Sequence, residues 1–583
     1  VQSPFPPLPP VSEANVCDLM FGRPDQESIQ RCKFRFCANW PDYAIHIEEN
    51  TGRKRTYKQL VKRVTLGATA LGAPVSSGGL GLSGDGGEII GLLGDNSLDY
   101  IDITVSLLAI TIPFALISTH STCFELVHAL KLTKATRLFV DARLLRNVLA
   151  AIEDPDVHLT QDKIYVLSGQ PADGRQSFGQ LIDTVAGKNV PLEPVRRATK
   201  DTLAYLIMSS GTSGLPKAVM VTHGNVVCTF YQGMVLGQAM QPFLTPLPSG
   251  TMPVTIGVLP MFHTYGLHAY ILRMTFFQAT YIILDKWNTT KYLNSVTKYR
   301  ATHLTLIPSA IHQLVNHPDI ATADLSSVVA VTSGAAYLPP ELASQLGRFL
   351  EKNPEIAQGY GLSECTISAL VPPIEGMLNM GAPPPKTTGI LTPGVEGRIV
   401  REDGADAASG EVGELWLRGG NICPGYWNNP EANAGTFVDG WLRTGDQFTV
   451  DDKGYFFFAD RGKDTLKLSG VQVSPKEIED ALFAHPEKLI SDVAVAGVSR
   501  GRTEDEKVPR AWIVLSSAGE KKGASAVIKA LEQWHHESLS KYKWLRGGIE
   551  VVKEVPKTPT GKTMRRVLQD EYEREAKKIG AKL

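Results

Sequence analysis

The sequence predicts a layered α/β protein: a large N-terminal domain of α/β subdomains plus a β-rich subdomain, then a small C-terminal α+β domain. Three observations carry this expectation. From residue 89 to about 284, strand-length apolar runs alternate with segments of helical period, the texture of layered α/β structure. After Gly394 the pattern changes to short strands set off by turn residues, as at 413–417 and 455–459. Beyond Asp464 the elements shorten and charges crowd, with helices expected over 475–482 and 526–539 and strands over 493–498 and 511–515.

Taken in order, the first dozen residues, with SPFPPLPPVS, are Pro-rich and expected to lie extended on the surface. Residues 57–71 read as an amphipathic helix, 75–87 as a Gly/Ser loop and 89–93 as a buried strand. The run 104–117 is too short to span a bilayer comfortably, and 266–284 is interrupted by His268 and Arg273, so both are expected in the core. No internal repeat stands out.

Composition narrows the function. The 583 residues are enough for several cores, and 43% apolar with 20% charged residues describes an ordinary globular chain. Lys plus Arg (59) nearly balances Asp plus Glu (60), which excludes a whole-protein basic footprint for nucleic acid. Seven scattered cysteines without CxxC spacing argue against a zinc site or a disulfide framework and for a reducing compartment. No secretory signal is expected, and the Val1 start points to a missing native N-terminus. The chain ends Ala581-Lys582-Leu583, one conservative step from the Ser-Lys-Leu address, with Lys577 and Lys578 upstream. The expected location is therefore the peroxisome, through its import receptor, and otherwise the cytoplasm.

Residues 209–217 read SSGTSGLPK between two strand-like runs, 203–208 and 218–223. Hydroxyls, unblocked N–H groups and one cation in a small volume suit a polyphosphate. This is not the Walker pattern, because Leu215-Pro216 separates Gly214 from Lys217 and no Ser or Thr follows. Flanking strands predict a loop that closes a hairpin instead of opening a helix. Downstream come Gln358-Gly359-Tyr360-Gly361-Leu362-Ser363-Glu364, then GWLRTGD at 440–446, DRGK at 460–463 and PKTPTGK at 556–562.

In this order and spacing the set closely resembles the adenylate-forming superfamily of acyl-CoA ligases, luciferases and peptide-synthetase adenylation domains, most of all the aryl-CoA ligases of the 4-coumarate type. The resemblance runs from about Thr56 to Arg566. It implies an N-terminal adenylation domain over 1–460, a hinge at 461–463 and a mobile C-terminal domain over 464–583. It also implies ATP, Mg²⁺ and CoA as partners of a small carboxylic acid, with no nucleic acid.

The resemblance assigns the residues as follows. Ser209, Ser210, Gly211, Thr212, Ser213 and Gly214 hold the β and γ phosphates with Lys217, and Glu364 takes Mg²⁺, a hard ion that favours oxygen ligands. Ser363 stands where Thr is usual and keeps the hydroxyl. Asp446 and Arg461 meet the ribose hydroxyls. Gly334, Ala335 and Ala336 form the adenine loop, Tyr360 stacks on the other face of the base, and Gln358, Gly359 and Gly361 of the same motif belong to the nucleotide site. Lys562 reaches the substrate carboxylate and the α-phosphate. Lys463 sits at the hinge, Ser469, Gly470 and Val471 line the pantetheine path, and Lys467 and Gln472 on the same segment match positions that contact the adenylate, although Ser469-Gly470 replaces the usual Lys-Gly pair. His263 matches a gate between phosphate and acyl sites. Tyr265, Thr366, Ile367 and Ser368 line the acyl pocket; the last three replace a Pro-containing segment of the plant 4-coumarate enzymes, which leaves an aryl, arylalkenoic or medium-chain acid open. Other readings are activation for a carrier-protein thiol, a luciferase-like oxygenase, and a non-catalytic nucleotide-binding protein. Retention of Lys217, Glu364, Asp446, Arg461 and Lys562 together argues against the last.

Overall fold

The computed structural model describes residues 1–11, 13–22, 40–170, 173–209, 215–244, 246–248, 250–335, 338, 340–352, 356–461, 466–468, 471–499, 507–556 and 563–580. The chain divides into two compact units. The first comprises Val1–Thr119, Leu130–Met208 and Ala218–Asp460; the second comprises His120–Ala129, Ser209–Lys217 and Arg461–Leu583.

Local chemistry starts the helices, one of them beginning at His223, where the sequence predicts the end of a strand. Tyr57–Gly72 opens on a reciprocal cap, Thr56 and Gln59 each satisfying the other's backbone N–H. His223–Met240 opens the same way on Thr222 and Asn225. Alternation of such helices with strands of two to seven residues builds two seven-stranded sheets. In one, Ile356–Gln358, Ala330–Ser333, His303–Leu306, Val254–Gly257, Thr280–Ile283 and Ala44–Glu48 run parallel, and Lys54–Thr56 closes the edge antiparallel. In the other, Leu203–Ser209 lies between Lys217–Thr222 and Phe114–Leu116. The segment linking 209 and 217 therefore joins neighbouring strands, as the hairpin reading requires.

The two long apolar runs are composite. Residues 104–117 contain the end of the helix Leu98–Ala109 and the strand Phe114–Leu116, and 266–284 contains a short helix, a π-helical turn and the strand Thr280–Ile283. A continuous apolar run reports burial and does not separate helix from strand. The Pro-rich start is extended and also pinned: Ser3 N–H donates to the Val395 carbonyl, and Phe5 is buried with Met377, Ile390 and Tyr455.

The β-rich segment is a five-stranded sheet of Val395–Val400, Gly413–Gly419, Trp441–Val450, Phe437–Val438 and Phe456–Arg461, over a core that includes Leu415, Leu442 and Phe448. In the second unit, Ile490–Ser499 pairs antiparallel with Lys507–Leu515, which takes Ile549–Val551 parallel. The helices Pro475–Phe483 and Ala524–Ser538 cover this sheet through Ile478, Leu482, Val527 and Leu531. Lys543 Nζ lies 2.6 Å from Glu477 Oε1 and 2.5 Å from Glu125 Oε1, a buried cation held by two carboxylates.

Among the described residues no helix is long and apolar enough to cross a membrane.

Candidate active site

Strands of the first parallel sheet end on one edge at Gly257, Ser333 and Gln358, the last two adjacent and the first set apart from them by His303–Leu306. Loops beyond the carboxyl ends of parallel strands are where α/β sheets bind ligands, because backbone groups are released there at a crevice. The loops after these three ends carry His263 and Tyr265, Gly334 and Ala335, and Gly359 through Glu364.

Short contacts tie these loops together. Gly359 N–H donates to the Ser333 carbonyl at 3.3 Å, and Leu338 N–H donates to Gln358 Oε1 at 3.2 Å. Tyr265 Oη donates to Thr332 Oγ1 at 3.4 Å, and Thr264 Oγ1 shares a hydrogen bond with Ser363 Oγ at 3.2 Å. Burial raises the Tyr265 phenol above its ordinary range, so it stays neutral. At Gly334 a Cβ would stand 2.9 Å from the Tyr265 ring, so the loop fits that ring only with glycine there. Ala335 follows at φ +66°, a left-handed backbone that a small residue tolerates best and that recurs at binding sites. His263 precedes the helix Thr264–Leu267, with its ring 4.7 Å from that of Phe262.

The 358–368 loop is shaped by what it cannot accommodate. A Cβ on Gly361 would fall 1.7 Å from the Ile367 carbonyl oxygen. Thr366, at φ +63°, is fully buried and its Oγ1 donates to the Asn421 carbonyl at 2.6 Å, while Asn421 Nδ2 donates to the Cys365 and Ser368 carbonyls. Thr366 was expected to line an acyl pocket, but the structure gives it a bracing role; Ile367 and Ser368 remain half-buried.

Two long-range contacts fix the charged groups. Tyr360 Oη donates to Asp446 Oδ2 at 2.8 Å, and the Tyr360 ring packs edge-on to Phe448 at 5.0 Å. Asp446 lies within the strand Trp441–Val450, with its N–H donating to Thr444 Oγ1. Tyr426 Oη donates to Glu364 Oε1 at 2.9 Å, and both residues are buried. Burial, and then the Glu364 charge, push the Tyr426 phenol far above its ordinary range, so it remains a donor. No local pattern in the sequence marks Tyr426, Asn421 or Thr264 as partners of this loop.

A hard oxygen donor of the kind Mg²⁺ favours is present. Glu364 supplies one hard carboxylate, and no group of three metal-ligating side chains occurs among the described residues.

Of the remaining expected residues, Ser209 ends one strand and Lys217 begins the next. The antiparallel pair Leu466–Leu468 and Val471–Val473 sets Lys467 opposite Gln472 in register. Ser210, Gly211, Thr212, Ser213, Gly214, Ala336, Lys463, Ser469, Gly470 and Lys562, the 581–583 tail, and the side chains of Arg461, Lys467, Val471 and Gln472 lie outside the described residues.

Comparison with known proteins converges on one family. Residues 34–427 match the AMP-binding enzyme model, and residues 477–562 match the AMP-binding enzyme C-terminal domain. The chain is similar to probable 4-coumarate–CoA ligase 1 of Dictyostelium discoideum, 31% identical over 497 residues covering 83% of this chain and 86% of the relative. It is similar to peroxisomal OPC-8:0-CoA ligase 1 of Arabidopsis thaliana, 30% identical over 538 residues covering 90% and 89%. In fold it is similar to the amide bond synthetase McbA of Marinactinospora thermotolerans, with a TM-score of 0.71, 22% identity and coverage of 91% and 97%.

Proposed function

We propose that this chain, which belongs to the AMP-binding enzyme family, is an ATP-dependent acid–CoA ligase. In the first half-reaction the carboxylate oxygen of the acid attacks the α-phosphorus of ATP, the bond to pyrophosphate breaks, and an acyl-adenylate forms. In the second, the CoA sulfur attacks the acyl carbonyl, AMP leaves, and a thioester forms. A free carboxylate is a poor acyl donor because its leaving group would be oxide; adenylation supplies a good one. The electrostatic obstacle is the approach of one anion to another, which calls for donors and cations fixed in advance.

The observation that carries the reading is the pairing of Tyr360 with Asp446 beside the Gly334-Ala335 loop, with Glu364 fixed by Tyr426 on the same segment. An aromatic face, a carboxylate that can accept from both ribose hydroxyls and a glycine-lined approach make a nucleoside seat. The triphosphate falls to residues 209–214 and Lys217, with Mg²⁺ on Glu364 neutralising phosphate charge when bound. Arg461 adds a directional donor to the ribose, and Lys562 brings an ammonium to the carboxylate and the α-phosphate. His263 stands as the gate and Tyr265 as the acyl wall. For thioester formation the 464–583 domain turns about the hinge at 461–463, and residues 467–472 present the path for pantetheine.

Two relatives named as CoA ligases support CoA as the acceptor, and their names support an aryl, arylalkenoic or medium-chain acid as substrate. The peroxisomal relative supports a peroxisomal site of action. A fluorescent fusion ending in the free native tail is expected in peroxisomes; a cytosolic signal would contradict that address.

The deciding experiment is a screen of aryl, arylalkenoic and fatty acids with ATP, Mg²⁺ and CoA, reading AMP and thioester together. Thioester from one acid class is expected. Acyl-adenylate without thioester would indicate a carrier-protein acceptor instead, and no AMP with any acid would refute the ligase reading.

A further inference from the structure

Beyond Tyr265 the chain continues as a π-helical turn, His268–Leu272, capped by Arg273. Such wide turns are rare and recur at functional sites, where the extra residue redirects the side chains that follow. Between Tyr265 and Arg273 the pattern of burial is periodic. Gly266, Leu267, His268, Tyr270, Ile271 and Leu272 are buried, whereas Tyr265, Ala269 and Arg273, spaced by four, are half-exposed. These three half-buried residues share one face, which leads from the Tyr265 ring, abutting Gly334, towards the Arg273 guanidinium.

The far end of that face is polar and under-satisfied. His268 Nε2 and Tyr205 Oη share a hydrogen bond of 2.9 Å in the core, and His268 Nδ1 has no hydrogen-bond partner among the described residues. Arg273 Nε is sealed from solvent with no partner. The guanidinium lies 5.7 Å from the Phe276 ring centre, and no carboxylate pairs with it among the described residues. Burial pulls its pKa down to about 10, and the Tyr265 and Tyr205 hydroxyls act in the opposite direction, so the group remains a cation at neutral pH. A cation whose Nε is sealed from solvent and which no counter-ion meets is costly to hold, and a ligand that supplies a counter-ion offsets the cost.

We propose that Arg273 is a specificity-determining residue that pairs with a second anionic group on the acid, a carboxylate at the end distal to the one that is adenylated. This rests on the ligase reading above. An acid whose reacting carboxylate meets the nucleotide beside Gly334 would extend past Tyr265 and Ala269 and present its far end to the guanidinium fork, whose planar donors match a carboxylate two to two. A matched acid with a methyl terminus would leave that cation unpaired. The substrate class is accordingly the dicarboxylic acids and acids of like charge pattern.

The test compares mono- and dicarboxylic acids of equal chain length on the full-length protein and on Arg273→Met and Arg273→Lys. Wild type is expected to favour the dicarboxylic acid. Arg273→Met is expected to lower kcat/KM for that acid about 10- to 100-fold, the worth of a charge-assisted hydrogen bond, mostly through KM, and to raise it for the monocarboxylic acid, which no longer faces an unpaired cation. Arg273→Lys, which keeps the charge without the fork, should recover part of the loss. An unchanged ratio between the two acids in Arg273→Met, or an equal loss for both, would overturn the proposal while leaving the ligase intact. If no acid releases AMP, the ligase reading fails, and titration calorimetry of the dicarboxylic acid still decides the role of Arg273: weaker binding to Arg273→Met supports it, and equal or absent binding sinks it.

Discussion

Replacing Tyr426 by Phe removes a single oxygen and keeps the ring that packs against Phe437 at 5.7 Å. The lost group is the donor to Glu364 Oε1 at 2.9 Å, in a place where both residues are buried. A hydrogen bond to a charged acceptor contributes about 1.5–3 kcal/mol, and a buried acceptor that loses its donor keeps the desolvation cost. If that interaction holds Glu364 in the geometry adenylation needs, the full amount appears in the transition state. At about 1.4 kcal/mol per factor of ten, kcat/KM for pyrophosphate release should fall roughly 10- to 100-fold. Because Glu364 is the proposed carboxylate ligand of Mg²⁺, the Mg²⁺ concentration giving half-maximal rate should rise as well. The assay is acid-dependent pyrophosphate release across a Mg²⁺ titration, with the thermal midpoint measured on the same preparations. A lower thermal midpoint with the Mg²⁺ dependence unmoved would show that Tyr426 supports the fold alone, and an unchanged rate would refute the reasoning altogether.

Three further outcomes are expected. Gly361→Ala puts a methyl carbon against the Ile367 carbonyl, a backbone atom that cannot swing aside, so the loop must shift; a loss of several kcal/mol of stability and of nucleotide binding should appear in thermal melts with and without ATP, and a wild-type melt would contradict the packing. Lys562→Ala should abolish adenylation yet spare transfer of pre-made acyl-adenylate to CoA, as measured by the two half-reactions separately; equal loss of both would remove the assigned role. The buried His46, His223 and His535 have pKa values lowered by burial to about 3, 4 and 4. Each stays neutral in the folded chain while the unfolded chain takes up a proton near pH 6.5, so this stability is full above about 6.5 and is lost as pH falls towards 4. The loss is about 3 kcal/mol for each histidine, and a denaturant midpoint that stays flat between pH 6.5 and 4 would count against it.

The sequence by itself determined the local features. Amphipathic period placed the helix over 57–71, found as Tyr57–Gly72, and the ordered motifs named the loops that follow Gly257, Ser333 and Gln358. These are legible because turns, caps and amphipathic period depend on neighbours a few residues away. The tertiary structure alone decided which distant groups meet. Tyr360 reaches Asp446 across 86 residues and Tyr426 reaches Glu364 across 62, and Thr366 is sealed against Asn421 instead of facing a pocket. Arg273, which in the sequence only interrupts an apolar run, is placed on a half-buried helix face with no carboxylate beside it among the described residues. A hydrogen bond between side chains leaves no period and no spacing in the chain; it depends on how sheets stack and loops close, and only the folded arrangement fixes that.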